Sequence, residues 1–278
     1  MTLQADYKLN MLPEMSAYAS QHDFSAYPGI AAYWIVLQTQ EKPQETKHFF
    51  ELKQLLKKHS RIFPEAELRE LYSYAINYCL RRVNVGEQNF LKELFSLYKE
   101  TLRSGLLLEN GQISFWSYKN ITGVALRLRE FEWVEKFIRN YNSMLAEEFR
   151  ENALHYNLAE LNFYKRDFDK TMTHLNKVEF SDIYYSFDTK KMMMKIYFEK
   201  DEIDALLSLM ASFRVFIKRN HSVSEANKLA YENFISIINQ FLKHEQQRSA
   251  PELLEAIQNL KPLADRNWLQ EQYEKKFK

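Results

Sequence analysis

Cysteine is almost missing from this chain of 278 residues, which contains only Cys79. A single thiol excludes an internal disulfide and fits a reducing compartment, so we expect a cytoplasmic protein. Cys79 lies in the apolar run LYSYAINYCL, which indicates a small core residue in a helix. A nucleophilic cysteine would need a histidine partner, and no histidine lies near it in sequence.

Glycine and proline are also scarce, with five and six residues respectively. A chain of many β-hairpins needs more turn residues with positive φ than these, so such a fold is excluded. Proline suits the first position of a helix, because its missing N–H would be unpaired there in any case. Amphipathic runs follow Pro13, Pro28, Pro64 and Pro251. The composition therefore predicts a chain that is helical almost throughout.

Neither sign of charge is in excess, since 38 Lys and Arg residues face 37 Asp and Glu residues. A nucleic-acid binder needs a basic surplus to neutralise phosphates, so we predict no nucleic-acid partner.

Long hydrophobic runs are missing too. The longest, IAAYWIVL, is far shorter than the roughly 20 residues that span a bilayer, and MTLQADYKLNMLPEM at the N-terminus has no signal-peptide core. We predict no membrane partner.

Helical periodicity is what the chain does contain. Apolar residues recur at helical spacing from about Ala66 to Arg82 and from about Glu87 to Arg103, and the short join VNVGEQ predicts an antiparallel pair. Further pairs are predicted over about 114–145, 151–178 and 183–219, with polar turns at Arg129-Glu130, Lys165-Arg166-Asp167 and Lys200-Asp201-Glu202.

The domain organisation follows from the absence of any low-complexity linker or shift in composition. We predict a single helical-repeat domain over 1–278, with N-terminal helices over 1–63, repeated helix pairs over 64–219 and C-terminal capping helices over 220–278.

An internal repeat appears when the chain is offset by 35 residues. Apolar residues then coincide on the first helix of each pair and again on the second. Acidic residues coincide just before the second helix, at Glu132, Asp167 and Glu202. Each pair has an apolar face that it cannot bury alone, so stacked neighbours are expected.

The stretch YNLAELNFYKRDFDKTMTHLNKV, from Tyr156 to Val178, resembles one tetratricopeptide repeat, with Ala159 at the small position of the first helix and Phe168 opening the second. The flanking units depart from that pattern, since Met194 is large where the family has a small residue and the closing proline is missing. The resemblance implies a right-handed α-solenoid of antiparallel helix pairs, built from degenerate repeats.

A longer resemblance covers most of the chain. ELYSYAINYCLRRVNVGEQNFLKELF, SGLLLENGQIS and KPLADRNWL resemble an uncharacterised tetratricopeptide-like family from Bacteroidota. Members of that family are generally longer at the N-terminus, so this chain is expected to be the C-terminal part of a longer one. The resemblance implies a fold and no established activity.

Catalytic motifs do not occur. Five scattered glycines form no phosphate-binding loop, no HExxH is present, and the seven histidines are dispersed. We predict no catalytic residue, no cofactor, no metal and no small-molecule substrate. A helical fold does not exclude a grafted active site, so an enzyme is kept as a remote alternative.

First helices line the concave face of tetratricopeptide superhelices. The resemblance therefore implies a partner-binding groove formed by Arg129, Tyr156, Glu160, Tyr164, Lys191 and Lys195. Basic residues there would receive a carboxylate or an acidic peptide, although a solvated charged face is the alternative. The many tyrosines of the first helices, such as Tyr72, Tyr78 and Tyr118, fit either packing between helices or contact with a partner.

The leading functional hypothesis is a non-catalytic interaction module that binds a protein or peptide on its concave face. The alternative is a structural or oligomerisation segment of a longer solenoid, whose terminal helices would expose an apolar face.

Overall fold

The computed structural model describes residues 12–178, 183–244 and 249–277. The predicted all-α class is confirmed, because nearly every described residue lies in a helix or in a short join between helices. The N-terminal residues 1–11, part of the segment without a signal-peptide core, lie outside the described residues. The sequence predicts one domain, and the chain divides into two compact units, Met1–Asn157 and Leu158–Lys278.

The described part of the first unit contains helices and a small hairpin. Its elements are α1 (Leu12–Ser20), α2 (Pro28–Glu41), α3 (Thr46–His59), α4 (Glu65–Asn84), α5 (Phe90–Arg103), β1 (Leu108–Glu109), β2 (Gln112–Ile113), α6 (Phe115–Arg127), α7 (Phe131–Tyr141) and the first part of α8 (Glu147–Tyr164). Consecutive helices pack as pairs, α2 on α3, α4 on α5 and α6 on α7.

The second unit begins within α8. Its further helices are α9 (Phe168–Leu175), α10 (Ile183–Glu199), α11 (Ile203–Arg219), α12 (Glu225–Lys243), α13 (Pro251–Asn259) and α14 (Arg266–Phe277). α10 packs on α11 and α13 on α14, while α12 contacts both α11 and α13.

A shared turn geometry joins four helix pairs, α4–α5, α6–α7, α8–α9 and α10–α11. In each turn the residue with positive φ donates its N–H to the carbonyl oxygen of the residue three positions before it. The N–H of the next residue donates to the carbonyl oxygen five positions before it, and the two bonds close the end of the helix. The residues with positive φ are Gly86, Arg129, Arg166 and Asp201, and the acidic residues that follow them are Glu87, Glu130, Asp167 and Glu202. Acidic charge near the start of the next helix is stabilised by the helix dipole.

The predicted turn positions are confirmed, but the repeat alignment needs a correction. Glu130 is the N-cap residue of α7, while Glu132 lies inside that helix. The structural counterpart of Asp167 is therefore Glu130, and the spacing between these turns is 37 residues. The 35-residue offset holds for the following turn, from Asp167 to Glu202.

The segment after Gly105 contains a hairpin that helical periodicity does not predict. Leu108 pairs with Ile113 and Glu109 with Gln112, and the two turn residues Asn110 and Gly111 have φ of 53° and 77°. Positive φ at both central residues is the signature of a tight hairpin turn, for which Asn-Gly is the preferred sequence.

Buried side chains tie α3 to the α4–α5 pair. Phe49 of α3 stacks on Tyr78 of α4 with ring centroids 5.1 Å apart, and Phe90 of α5 meets both rings edge-on. Arg82 donates to the carbonyl oxygen of Pro43 at 3.1 Å and pairs with Glu87 across the α4–α5 turn. These contacts position α3 beside α5.

The left-handed turns give a stability prediction. Arg129 is exposed and has a φ of 59°. This left-handed conformation is strained for any residue that has a Cβ atom and is unstrained for glycine. We expect Arg129→Gly to raise the free energy of unfolding by about 0.5–1 kcal/mol in urea denaturation, because the left-handed strain relieved, about 1–2 kcal/mol, exceeds the extra backbone entropy that glycine loses on folding. Gln54→Gly, at an exposed position inside α3, should lower the free energy of unfolding by about 1 kcal/mol. Destabilisation by both changes would contradict the assigned turn.

Candidate functional site

An open groove of about 810 Å³ lies on the first unit, across α3, α5 and α7. These are the second helices of three consecutive pairs. α3 contributes Lys53 and Lys57, and α5 contributes Ser96, Lys99, Glu100, Leu102 and Arg103. α7 contributes Trp133, Lys136, Phe137, Asn140 and Tyr141. We call this surface the basic groove.

Helical spacing explains why these residues share a surface. On α5, Ser96, Lys99 and Arg103 stand at positions i, i+3 and i+7, and Trp133, Lys136 and Asn140 repeat that spacing on α7. Residues so spaced fall on one face of a helix. Seven residues advance a helix by about 11 Å, so the groove is a trough about two helical turns long.

Aromatic rings form the floor of the basic groove. Trp133 and Phe137 stack with centroids 5.2 Å apart and planes 7° from parallel, and Tyr141 stacks on Phe137 at 4.9 Å. Phe95 of α5 meets Trp133 edge-on at 4.8 Å. Offset and edge-on aromatic contacts add stability beyond area burial, so this floor also joins α5 to α7.

Two charges of the groove are engaged by neighbouring side chains. The Nζ of Lys53 lies 2.6 Å from a carboxylate oxygen of Glu93, which links α3 to α5. Glu100 accepts a hydrogen bond of 2.8 Å from the hydroxyl of Tyr72. Burial and then the nearby carboxylate raise the pKa of Tyr72, so this tyrosine stays protonated and continues to donate.

The tyrosines singled out in the first helices are interior residues. Tyr72, Tyr78 and Tyr118 are each at most 4% exposed. The hydroxyl of Tyr78 donates to the carbonyl oxygen of Pro43 and that of Tyr118 to the carbonyl oxygen of Ile138. These three tyrosines therefore pack between helices and are not exposed for contact with a partner.

The groove offers little for acid–base or nucleophilic chemistry. Glu100 is the one carboxylate in its lining, and the lining contains no histidine or cysteine. Cys79 is fully buried in α4, and burial raises the pKa of its thiol to about 12. Within the described ranges, no three His, Cys, Asp or Glu side chains cluster closely enough to hold a metal ion.

The six residues of the groove predicted from sequence fall in both units. Arg129 and Tyr156 belong to the first. Arg129 is exposed at the left-handed position of the α6–α7 turn. Tyr156 is only 3% exposed, with the ammonium group of Lys119 5.2 Å from its ring centroid, so it presents little surface to a partner. None of the six lines the basic groove.

The other four predicted residues belong to the second unit. Glu160 is half-buried on α8, and Tyr164 is exposed at the end of that helix. The structure brings Lys191 and Lys195 together on Asp265, at Nζ to oxygen distances of 3.2 and 2.9 Å. Both lysines are thus engaged within the unit and hold the start of α14 against α10.

A polar cluster extends this contact. Lys191 also pairs with Asp188 at 3.2 Å, and the hydroxyl of Tyr231 donates to the same carboxylate. Burial by itself would raise the pKa of Asp265, but the charges of Lys191 and Lys195 hold it well below its usual range. Burial would lower the pKa of Lys191, yet its carboxylate partners raise it well above its usual value.

The basic groove is lined by second helices, whereas the resemblance to tetratricopeptide repeats implies a lining of first helices, so the groove was not predicted. The available signal was the spacing of Trp133, Phe137 and Tyr141 at i, i+4 and i+8 on α7, with Lys136 between them. The same spacing of Lys99 and Arg103 on α5 was a second sign.

No family model, curated protein or solved structure matched the chain in the three comparisons made. In the part of the chain that the structure describes, no helix has the length and apolar character needed to cross a membrane.

The ion pairs of Asp265 generate a prediction for the second unit. Asp265 has a φ of 49°, a left-handed conformation that asparagine also tolerates. Asp265→Asn therefore removes the charge that faces Lys191 and Lys195 without straining the backbone. We expect the free energy of unfolding to fall by about 2–4 kcal/mol in urea denaturation followed by circular dichroism. Asp169→Asn, at a side chain 93% exposed, is the matched control and should have a small effect.

The effect of Asp265→Asn should depend on pH. Because the pKa of Asp265 is lowered by folding, its contribution is fully present above the unfolded pKa of about 3.9 and is lost as the pH falls towards the folded value. The difference in unfolding free energy between wild type and variant should therefore be constant from about pH 7 to 5 and shrink below about pH 4. A difference that grows as pH falls would contradict the pairing.

Proposed function

We propose that this chain is a helical-repeat interaction module that binds a peptide segment of a partner protein in the basic groove. The observation that carries the proposal is the groove itself, an elongated trough with exposed cations above an aromatic floor. Large rigid aromatics beside polar groups are the side chains that dominate binding energy at protein interfaces.

The shape of the groove favours a peptide over a compact ligand. Its lining follows two turns of α5 and α7 and remains open to solvent, whereas small-molecule sites enclose most of the ligand surface. An extended peptide advances about 3.3 Å per residue, so the trough is long enough for three or four residues.

The repeated turns support the proposed repeat architecture. In four helix pairs the turn has a residue in the left-handed conformation followed by an acidic residue, as expected of stacked tetratricopeptide-like units in a right-handed solenoid. The proposal also places the chain in the cytoplasm, for which its single thiol is the supporting feature.

A second candidate function is association through an exposed apolar surface. Met15 and Tyr18 of α1, with Tyr27 and Ile30 at the start of α2, are each more than half exposed. Exposed apolar residues that stand singly are ordinary. Residues three apart share one face of a helix, as Met15 and Tyr18 do on α1, and such groups are typical of contact surfaces. A concentration-dependent mass in light scattering, abolished by Tyr18→Ser with Ile30→Ser, would favour this function. A constant monomer mass would count against it.

Peptide selection from an unbiased random display library tests the proposed function. We expect enriched peptides to bind the purified chain with dissociation constants of about 1–100 μM, a range typical of short unstructured segments that must become ordered on binding. Asn140→Tyr places a bulky side chain in the groove and should weaken binding about tenfold.

Arg139→Tyr is the matched control, because Arg139 is the preceding residue of α7, is exposed, and lies outside the groove lining. It should leave binding within about twofold of wild type. Failure to enrich any peptide, or equal losses in the two variants, would refute the proposed function.

A further inference from the structure

Charge is distributed unevenly in the basic groove. Five cationic side chains line it, Lys53, Lys57, Lys99, Arg103 and Lys136, against the single carboxylate of Glu100. The whole chain carries a net charge of only +1, so this excess is local. A local concentration of one sign of charge indicates the opposite sign on the ligand.

Four of these cations are available to a ligand. Lys53 is compensated by Glu93. Lys57, Lys99, Arg103 and Lys136 are exposed, and within the described residues none of them forms an ion pair with a carboxylate. The ammonium group of Lys99 stands 4.5 Å from the ring centroid of Phe95, which keeps it above the aromatic floor.

The aromatic floor indicates an apolar group between the anions of the ligand. Trp133 has one face against Phe137 and meets the edge-on ring of Phe95. Stacking of successive nucleic-acid bases needs free ring faces. Phe137 is buried between Trp133 and Tyr141, and these two partly exposed rings offer room for one apolar side chain and not for a run of stacked bases. An acidic peptide therefore fits this surface better than a nucleic-acid strand.

We propose that the basic groove binds an acidic peptide segment carrying at least one large apolar side chain, with Lys57, Lys99, Arg103 and Lys136 receiving its carboxylates. The apolar side chain lies on Trp133 and Tyr141. This inference rests on the proposed function and adds the chemical class of the partner. Carboxylate–ammonium contacts set specificity and association rate, while the aromatic floor provides the apolar contact.

Matched charge reversals provide the test. The groove variant is Lys57→Glu, Lys99→Glu and Lys136→Glu, with one change on each lining helix. The control variant is Lys58→Glu, Lys92→Glu and Arg139→Glu, with the same charge change at exposed positions of the same helices outside the lining. Circular dichroism and urea midpoints establish that both variants fold.

Two labelled peptides serve as probes, Glu-Glu-Phe-Glu-Glu-Leu-Glu-Glu and the same peptide with every Glu replaced by Gln. In fluorescence anisotropy at about 50 mM NaCl, we expect the Glu peptide to bind wild type at least about tenfold more tightly than the Gln peptide. The groove variant should lose about tenfold or more in affinity for the Glu peptide and the control variant less than about threefold. Affinity should fall as salt is raised.

Three results would overturn the inference. They are equal affinity for the Glu and Gln peptides, equal losses in the groove and control variants, and displacement of the Glu peptide by single-stranded oligothymidylate at a lower concentration than by unlabelled Glu peptide. If the random library yields neutral peptides whose binding is weakened by Asn140→Tyr, the proposed function stands and only the acidic character of the ligand is refuted. Absence of binding by any peptide would remove both.

Discussion

Each helix of this chain has an apolar face that it cannot bury alone, and its burial against the next helix is the constraint on which the fold depends. In four helix pairs the chain meets it with a short turn in which one residue adopts a left-handed conformation, as Arg129 and Arg166 do. Two backbone hydrogen bonds then close the outgoing helix, and an acidic residue begins the next. The same turn recurs in four helix pairs, α4–α5, α6–α7, α8–α9 and α10–α11.

The basic groove is formed by the second helices of three consecutive pairs. Its floor and its rim come from the same helical periodicity, because Trp133 of α7 meets Phe95 of α5, while Lys136, one position before Phe137, is exposed. The Lys53–Glu93 ion pair and the packing of Phe49 on Tyr78 hold α3 in line with α5. Interior packing therefore fixes the helices that carry the cations at the rim. Because a ligand meets side chains on rigid helices, the entropic cost of binding is lower.

Much of the fold was predictable because its signals are local. Helical spacing and scarce glycine predicted helices, and polar stretches such as Lys200-Asp201-Glu202 marked the turns correctly. The hairpin at Asn110-Gly111 depends on two residues within a helical context, so periodicity missed it. The groove depends on which faces of three separate helices meet, and the engagement of Lys191 by Asp265 joins residues far apart in sequence. Spacing within α5 and α7 marks the faces that line the groove but does not say that these faces lie side by side, and the Lys191–Asp265 pair has no periodic signal at all.

The central claim is that the basic groove, and not another surface, receives the peptide. The four tryptophans report on separate places: Trp34 in α2, Trp116 in α6, Trp133 in the groove and Trp268 in α14. Their indole N–H resonances, assigned by single Trp→Phe variants, can be followed in a ¹H–¹⁵N correlation spectrum as unlabelled peptide is added. The account predicts that the Trp133 resonance shifts with saturation while the other three stay in place. A saturating shift of Trp268 or Trp116 with Trp133 unchanged would contradict it.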